Sequence, residues 1–265
     1  THTHTHTHTH THTHTHTLAC KRFLNVHLRV PNKFVYGELG RHPLYVNSAV
    51  RCIRYWLKLQ TLDMSRIPKQ AYVMLQNLDD KGKVCWVTHV KNTLFSLGFG
   101  FVWLQQSVGC VKSFISVFKQ RMIDMYLQEW DGSVACKDIF ENYRLFKTVF
   151  GSERYFDFVE RKCFRDCLVK LRLGVLPLGA SHFRRTFAKD NNFLCTLCNV
   201  PEDENHFIFD CPLFSEARQK YINTRHRCYV NILRNGSDSD IRRLSVFMFV
   251  ALKVRLDFRT NTEGV

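Results

Sequence analysis

A mainly α protein is what this sequence predicts, and three observations carry that expectation. Apolar residues recur at three- and four-residue spacing over most of the chain from Leu44 onward. Between the periodic segments lie Gly, Pro and Asp-Gly punctuation of the kind that stops and starts helices. Strand-like alternation is confined to one short run, in which Leu24, Val26, Leu28 and Val30 alternate with Asn25, His27 and Arg29. The 265 residues are 45% hydrophobic and 13% aromatic, enough for one large or two small packed domains and too apolar for global disorder.

The elements follow in order. Residues 1–17 are expected to be a low-complexity, disordered tail: Thr1 to His16 is eight copies of Thr-His, which offers no apolar face to bury. Alternating His can chelate Zn²⁺ or Ni²⁺; a translated AC dinucleotide repeat accounts for the same pattern without any evolved role. A helix is predicted over Ser48–Leu62, and Pro68 can open a second that ends at the Asp79-Asp80-Lys81-Gly82 turn. A third runs from about Val84 to Leu97 before Gly98, and a fourth from about Val111 to Trp130 before Asp131-Gly132. The fifth covers Val134–Phe150, the sixth Glu153–Leu173, and the tail holds one more at about Ile241–Leu256. The expected organisation is a basic helical region over 18–190, a metal knuckle with its following helix over 191–225, and a C-terminal tail with one helix over 226–265.

Thirty-eight Lys and Arg against 23 Asp and Glu leave a formal charge of +15, which favours a polyanionic partner. On a continuous sixth helix, Arg154, Arg161, Arg165 and Arg172 would fall within about 40° of one another, opposite a stripe of Phe156, Val159, Cys163, Cys167 and Leu171. Such a face, extended by Arg184, Arg185 and Lys189, could track phosphates of RNA or DNA. A plain solvated face explains the same spacing. No apolar run reaches the roughly 18 residues that span a bilayer, so no membrane partner is expected. The chain begins with Thr and shows no secretory signal, which predicts a fragment with an intracellular, nuclear or cytoplasmic location.

Eleven Cys, an odd number without a secretion signal, point to free or metal-bound thiols rather than disulfides. Cys195, Cys198, His206 and Cys211 form a C-x2-C-x7-H-x4-C array. A Cys pair two residues apart can bite one Zn²⁺ from a tight turn, and the later His and Cys can close a tetrahedral shell. Four protein ligands leave no open position, so one Zn²⁺ there would be structural. The alternative is four unrelated side chains near a surface loop. Glu202, Asp203 and Glu204 could start a short helix or polarise the imidazole, and Pro212 can open a helix from Leu213 to about Ile222.

These residues resemble a family. Cys195-x2-Cys198, Glu202-Asp203-Glu204-Asn205-His206-Phe207, Cys211-Pro212-Leu213, Arg218 and Tyr221 look like the C-terminal cysteine-histidine motif of LINE-type (non-long-terminal-repeat) retrotransposon reverse transcriptases. Upstream, Val35-Tyr36-Gly37-Glu38-Leu39-Gly40-Arg41-His42-Pro43-Leu44 is similar to the region after the polymerase palm, as are Tyr55-Trp56-Leu57-Lys58, Gly98-Phe99 near Trp103, and Lys119-Gln120-Arg121 before Trp130. The resemblance covers about Cys20 to Tyr221 and implies a segment that grips template RNA and target DNA. The family's paired catalytic carboxylates are not matched: Asp79-Asp80 lacks the preceding aromatic-Ala and sits at a helix end. No phosphate-binding loop, zinc-protease motif or serine-nucleophile motif is present. The expectation is a non-catalytic, truncated reverse-transcriptase segment with residual nucleic-acid binding and no small-molecule substrate. The rival expectation is a zinc-stabilised helical protein-interaction module.

Overall fold

The computed structural model describes residues 15–135, 141–179, 193–223 and 225–263. It is mainly helical, and among the described residues β pairing is limited to two isolated bridges, Leu39 with Ser152 and Leu194 with Pro201. The chain divides into two units: His42–Glu129 forms the body of one, while His14–Arg41 and Trp130–Val265 form the other. The expected boundaries at 190 and 225 are not those of the structure. The reason is burial: in the C-terminal helix Leu244, Phe247, Met248 and Ala251 are fully enclosed, so it belongs to a core rather than a tail.

The first unit contains α3 (Leu44–Gln60), α4 (Ile67–Asp80), α5 (Trp86–Ser96), α6 (Gly100–Gln105) and the start of α7 (Val111–Ala135). One face of α3 supplies Val46, Val50, Ile53, Trp56 and Leu57 at helical spacing to a core with Val87, Val90, Leu94 and Phe118. Trp56 is fully buried, and its indole N–H is satisfied by the Tyr72 hydroxyl at 3.1 Å, which in turn donates to Gln106 Oε1 at 2.7 Å. Pro68 sits in the first turn of α4 as its fixed φ allows. Asp79 accepts hydrogen bonds from Thr88 Oγ1 at 2.6 Å and Lys91 Nζ at 3.1 Å, which ties the end of α4 to α5. That carboxylate therefore has a structural assignment.

The second unit opens with α1 (residues 15–23) and α2 (Asn32–Leu39). Residues 1–14 lie outside the described chain, but 15–17 are helical, and the buried Thr17 hydroxyl lies 2.6 Å from the Tyr36 hydroxyl. The last residues of the expected tail thus belong to the fold. The alternation from Leu24 to Val30 forms no strand; Leu24 and Val30 are buried from helix end and turn. Gly37 and Gly40 mark close approaches. A Cβ at Gly37 would lie 2.7 Å from Trp130 Nε1, and one at Gly40, whose φ is +59°, would fall onto the Ser152 amide.

Two expected helices differ. α7 runs through Asp131-Gly132 to Ala135, because Trp130 and Val134 are both buried and packing overrides the turn signal. Of the fifth expected helix, α8 (Glu141–Phe146) is observed, and residues 136–140 lie outside the described chain. The sixth is broken into α9 (Tyr155–Phe158) and α10 (Lys162–Arg172), with Val159 and Arg161 in extended conformations. The cause is long-range. Tyr155 Oη donates to Glu38 at 2.9 Å and Arg172 Nε donates to the same carboxylate at 2.9 Å. In one straight helix those residues would stand about 25 Å apart along the axis.

Glu38 is fully buried, and the Arg172–Glu38 pair is extended by Arg172 to Glu153 at 2.8 Å and Lys147 to Glu153 at 2.5 Å. Two carboxylates thus meet two cations. The Arg172 guanidinium also lies 4.6 Å from the Phe146 ring centre. Burial works against its charge, yet Glu38 and Glu153 raise the Arg172 pKa, and burial together with the Glu38 charge keeps Tyr155 a neutral donor. After the metal-ligand segment come α11 (Ser215–Tyr221), α12 (Tyr229–Asn235) and α13 (Asp238–Glu263). A reciprocal cap starts α13: Asp240 N donates to Ser237 Oγ at 3.2 Å, and Ser237 N to Asp240 Oδ2 at 3.1 Å.

Candidate metal centre

The four expected ligands converge. One ligand atom from each of Cys195, Cys198, His206 and Cys211 lies within 4.8 Å of all the others. The first pair sits on a tight turn in which Asn199 N donates to Cys195 O at 2.9 Å and Cys195 N to Val200 O at 2.7 Å. Asn199 takes φ +55°, a left-handed conformation that Asn tolerates better than most residues.

The second pair is set by a π-turn over His206–Asp210. Residues five apart in an α-helix are about 140° out of line. Here Cys211 N donates to His206 O at 2.9 Å, and the wider turn brings residues 206 and 211 back together. Asp203 Oδ1 accepts from the His206 amide at 2.8 Å, so the acidic run caps this turn as the sequence suggested. Pro212 opens a short 3₁₀ turn, Pro212–Phe214, ahead of α11.

The sulfur geometry suits a metal. Cys211 Sγ is 3.9 Å from Cys195 Sγ and 3.8 Å from Cys198 Sγ. A tetrahedral ion with metal–sulfur bonds of about 2.3 Å sets its sulfurs about 3.8 Å apart, whereas a disulfide needs about 2 Å. His206 Nε2 is buried without a hydrogen-bond partner among the described residues, an expensive state for an imidazole that a bound cation relieves. Burial pushes the Cys211 thiol up to about 12, with the Cys195 and Cys198 sulfurs adding to the effect, and burial raises Cys198 as well. Cys198 and Cys211 are thus held towards the protonated thiol, a bias that a divalent cation opposes.

The surroundings are closely packed. Phe207, Ile208 and Cys211 are fully buried, with Phe207 packed 4.5 Å from the Phe214 ring and 6.3 Å from Phe247 of α13. Arg218 donates to Ile208 O at 2.8 Å and Cys211 O at 2.6 Å, latching α11 across the site. Glu202 pairs with α13. It takes a bidentate contact from Arg255 at 2.5 and 2.6 Å, a second cation from Arg259 at 3.3 Å, and the Gly179 amide at 2.7 Å. Burial opposes its charge, but these partners win and hold its pKa below the usual value. Spacing alone did not reveal Arg255 as the anchor, because it lies 53 residues further on.

The expected arginine face does not survive as a unit. Arg172 is buried against Glu38, and Arg154, outside both helices, is exposed and paired with Asp238 at 2.7 Å. Arg161 precedes α10 and stacks 5.6 Å from Phe164, and Arg165 is half-buried beside Phe156 and Asp166. Cys163, expected in the core stripe, is exposed. Arg184, Arg185 and Lys189 lie outside the described residues. No helix among the described residues is long and apolar enough to cross a membrane. Comparison with protein-family models, with curated proteins and with solved structures finds no match to the chain.

Proposed function

We propose that this chain is a non-catalytic, post-palm segment of the LINE-type reverse-transcriptase kind, built around one structural zinc ion and retaining affinity for RNA or DNA. The carrying observation is the convergence of Cys195, Cys198, His206 and Cys211 around a partnerless buried Nε2. Zinc, when bound, supplies four strong cross-links between the Cys195–Cys198 turn and the His206–Cys211 turn. The chain's residues do the rest: Asp203 caps the turn that presents His206, and Arg218 fixes the carbonyl of Cys211. The excess of cations over anions supports the nucleic-acid part of the reading.

Native mass spectrometry of a chain beginning at Thr15, which drops most of the Thr-His chelator, tests the metal directly. One equivalent of zinc is expected, with loss of that equivalent in Cys198→Ser. A folded chain without zinc sinks the reading. A second reading, a zinc-stabilised protein-interaction module, is favoured by one observation: Ile67, Met74 and Leu78 are 78%, 67% and 43% exposed along one side of α4. It requires that the zinc-loaded chain hold no single-stranded nucleic acid.

A further inference from the structure

The outer face of α3 carries Arg51, Arg54, Tyr55 and Lys58, all exposed. At 100° per residue these four span an arc of about 100°, opposite the buried Ile53 and Trp56. The helix contains no Asp or Glu, and none of its three cations forms an ion pair with a described residue. Long cationic side chains need no partner in water, so charge alone assigns nothing to this face.

Tyr55 is the second observation. It is a large aromatic ring, half exposed at mid-helix, where a residue of solvated type is expected. It is also braced. The Trp86 ring meets it edge-on, with centres 5.9 Å apart at 60°, and the Trp86 indole N–H donates to Cys52 Sγ at 3.1 Å. Cys52 is on α3 itself, so helix, indole and phenol are locked as one platform. A fixed, half-exposed ring amid three cations, within about 11 Å of helix axis, is the arrangement that single strands use: bases stack on the ring while phosphates meet the cations.

We propose that this face of α3 binds single-stranded RNA or DNA, with Tyr55 stacking on a base and Arg51, Arg54 and Lys58 contacting adjacent phosphates. The assignment rests on the nucleic-acid reading above and gives it a surface that the broken arginine face does not supply. A double helix hides its base faces, and a lipid surface offers no flat ring for Tyr55, so a single strand is the partner that uses both features.

The test is fluorescence anisotropy of the full chain with a labelled uridine oligonucleotide, the matching abasic oligomer and phosphatidylserine vesicles, over a range of salt. Tyr55→Ala is expected to weaken the uridine oligomer about fivefold or more, with little change for the abasic one. Arg51→Gln with Arg54→Gln is expected to reduce the log–log salt slope by about 1.4, since each single-strand phosphate contact contributes about 0.7. Tyr55→Ala should leave that slope unchanged. Circular dichroism of the variants checks that these exposed positions leave the fold intact, and Tyr55→Phe should retain binding. If the unaltered chain binds no oligomer, the nucleic-acid reading itself falls. If it binds, and only Arg161→Glu with Arg165→Glu weakens it, the assignment to α3 is overturned and the broader reading stands. Tighter binding to vesicles, lost in Tyr55→Ala, also overturns it.

Discussion

Arg172 shows how one side chain can change its meaning between sequence and structure. By position it belongs to a basic face; by burial it neutralises Glu38 and Glu153 inside the protein. Removing one partner of such a group strands the others without water. Arg172→Met is therefore expected to cost about 3–5 kcal/mol of unfolding free energy, while Arg154→Met, whose ion pair with Asp238 is exposed, should change stability by no more than about 1 kcal/mol. Denaturant titration followed by circular dichroism measures both, and equal losses would refute the distinction. The metal ligands were legible in the sequence because their chemistry is local, with short spacings and residue types of few other uses. The partner of Arg172 was not, since Glu38 stands 134 residues away.

At the scale of elements, helix existence was read better than helix extent. α3, α4 and α5 occupy the expected places, each with an apolar stripe and a recognisable start or stop. The break between α9 and α10 leaves no local trace, because it is imposed by two residues reaching the same carboxylate. Glycines divide in the same way. Gly40 and Gly98 both take positive φ, but a Cβ at Gly98 would meet nothing within 4 Å, whereas one at Gly40 would strike the backbone at Ser152. Gly98→Ala is expected to cost about 1 kcal/mol. Gly40→Ala should cost clearly more, about 2 kcal/mol or above, since the Leu39–Ser152 bridge must open as well. Thermal unfolding of the two variants side by side decides this, and a milder effect at Gly40 would contradict it.

For the whole molecule, the two units give metal binding a defined reach. The ligand segment shares its core with α13 through Phe207 and Phe247, and α13 packs on α10. The core of the first unit, from Val46 to Met122, contains none of these residues. Chelation of the metal is therefore expected to speed amide hydrogen exchange in α10, α11 and α13 while leaving α3 and α5 protected. Mass-spectrometric exchange with and without chelator shows this, and uniform loss of protection would mean that the units unfold together. The mainly helical character was legible from periodicity. The assembly of residues 15–41 with the C-terminal half was not, since no sequence pattern marks which distant segments share a core.

The hydroxyl contact between Thr17 and Tyr36 makes the fold indifferent to the length of the repeat before it. Thr15, His16 and Thr17 continue the Thr-His repeat that begins at Thr1. Whatever the tract length, the residues that enter α1 are still Thr, His and Thr followed by Leu18. A chain with one Thr-His pair more or fewer would therefore present Tyr36 with the same hydroxyl.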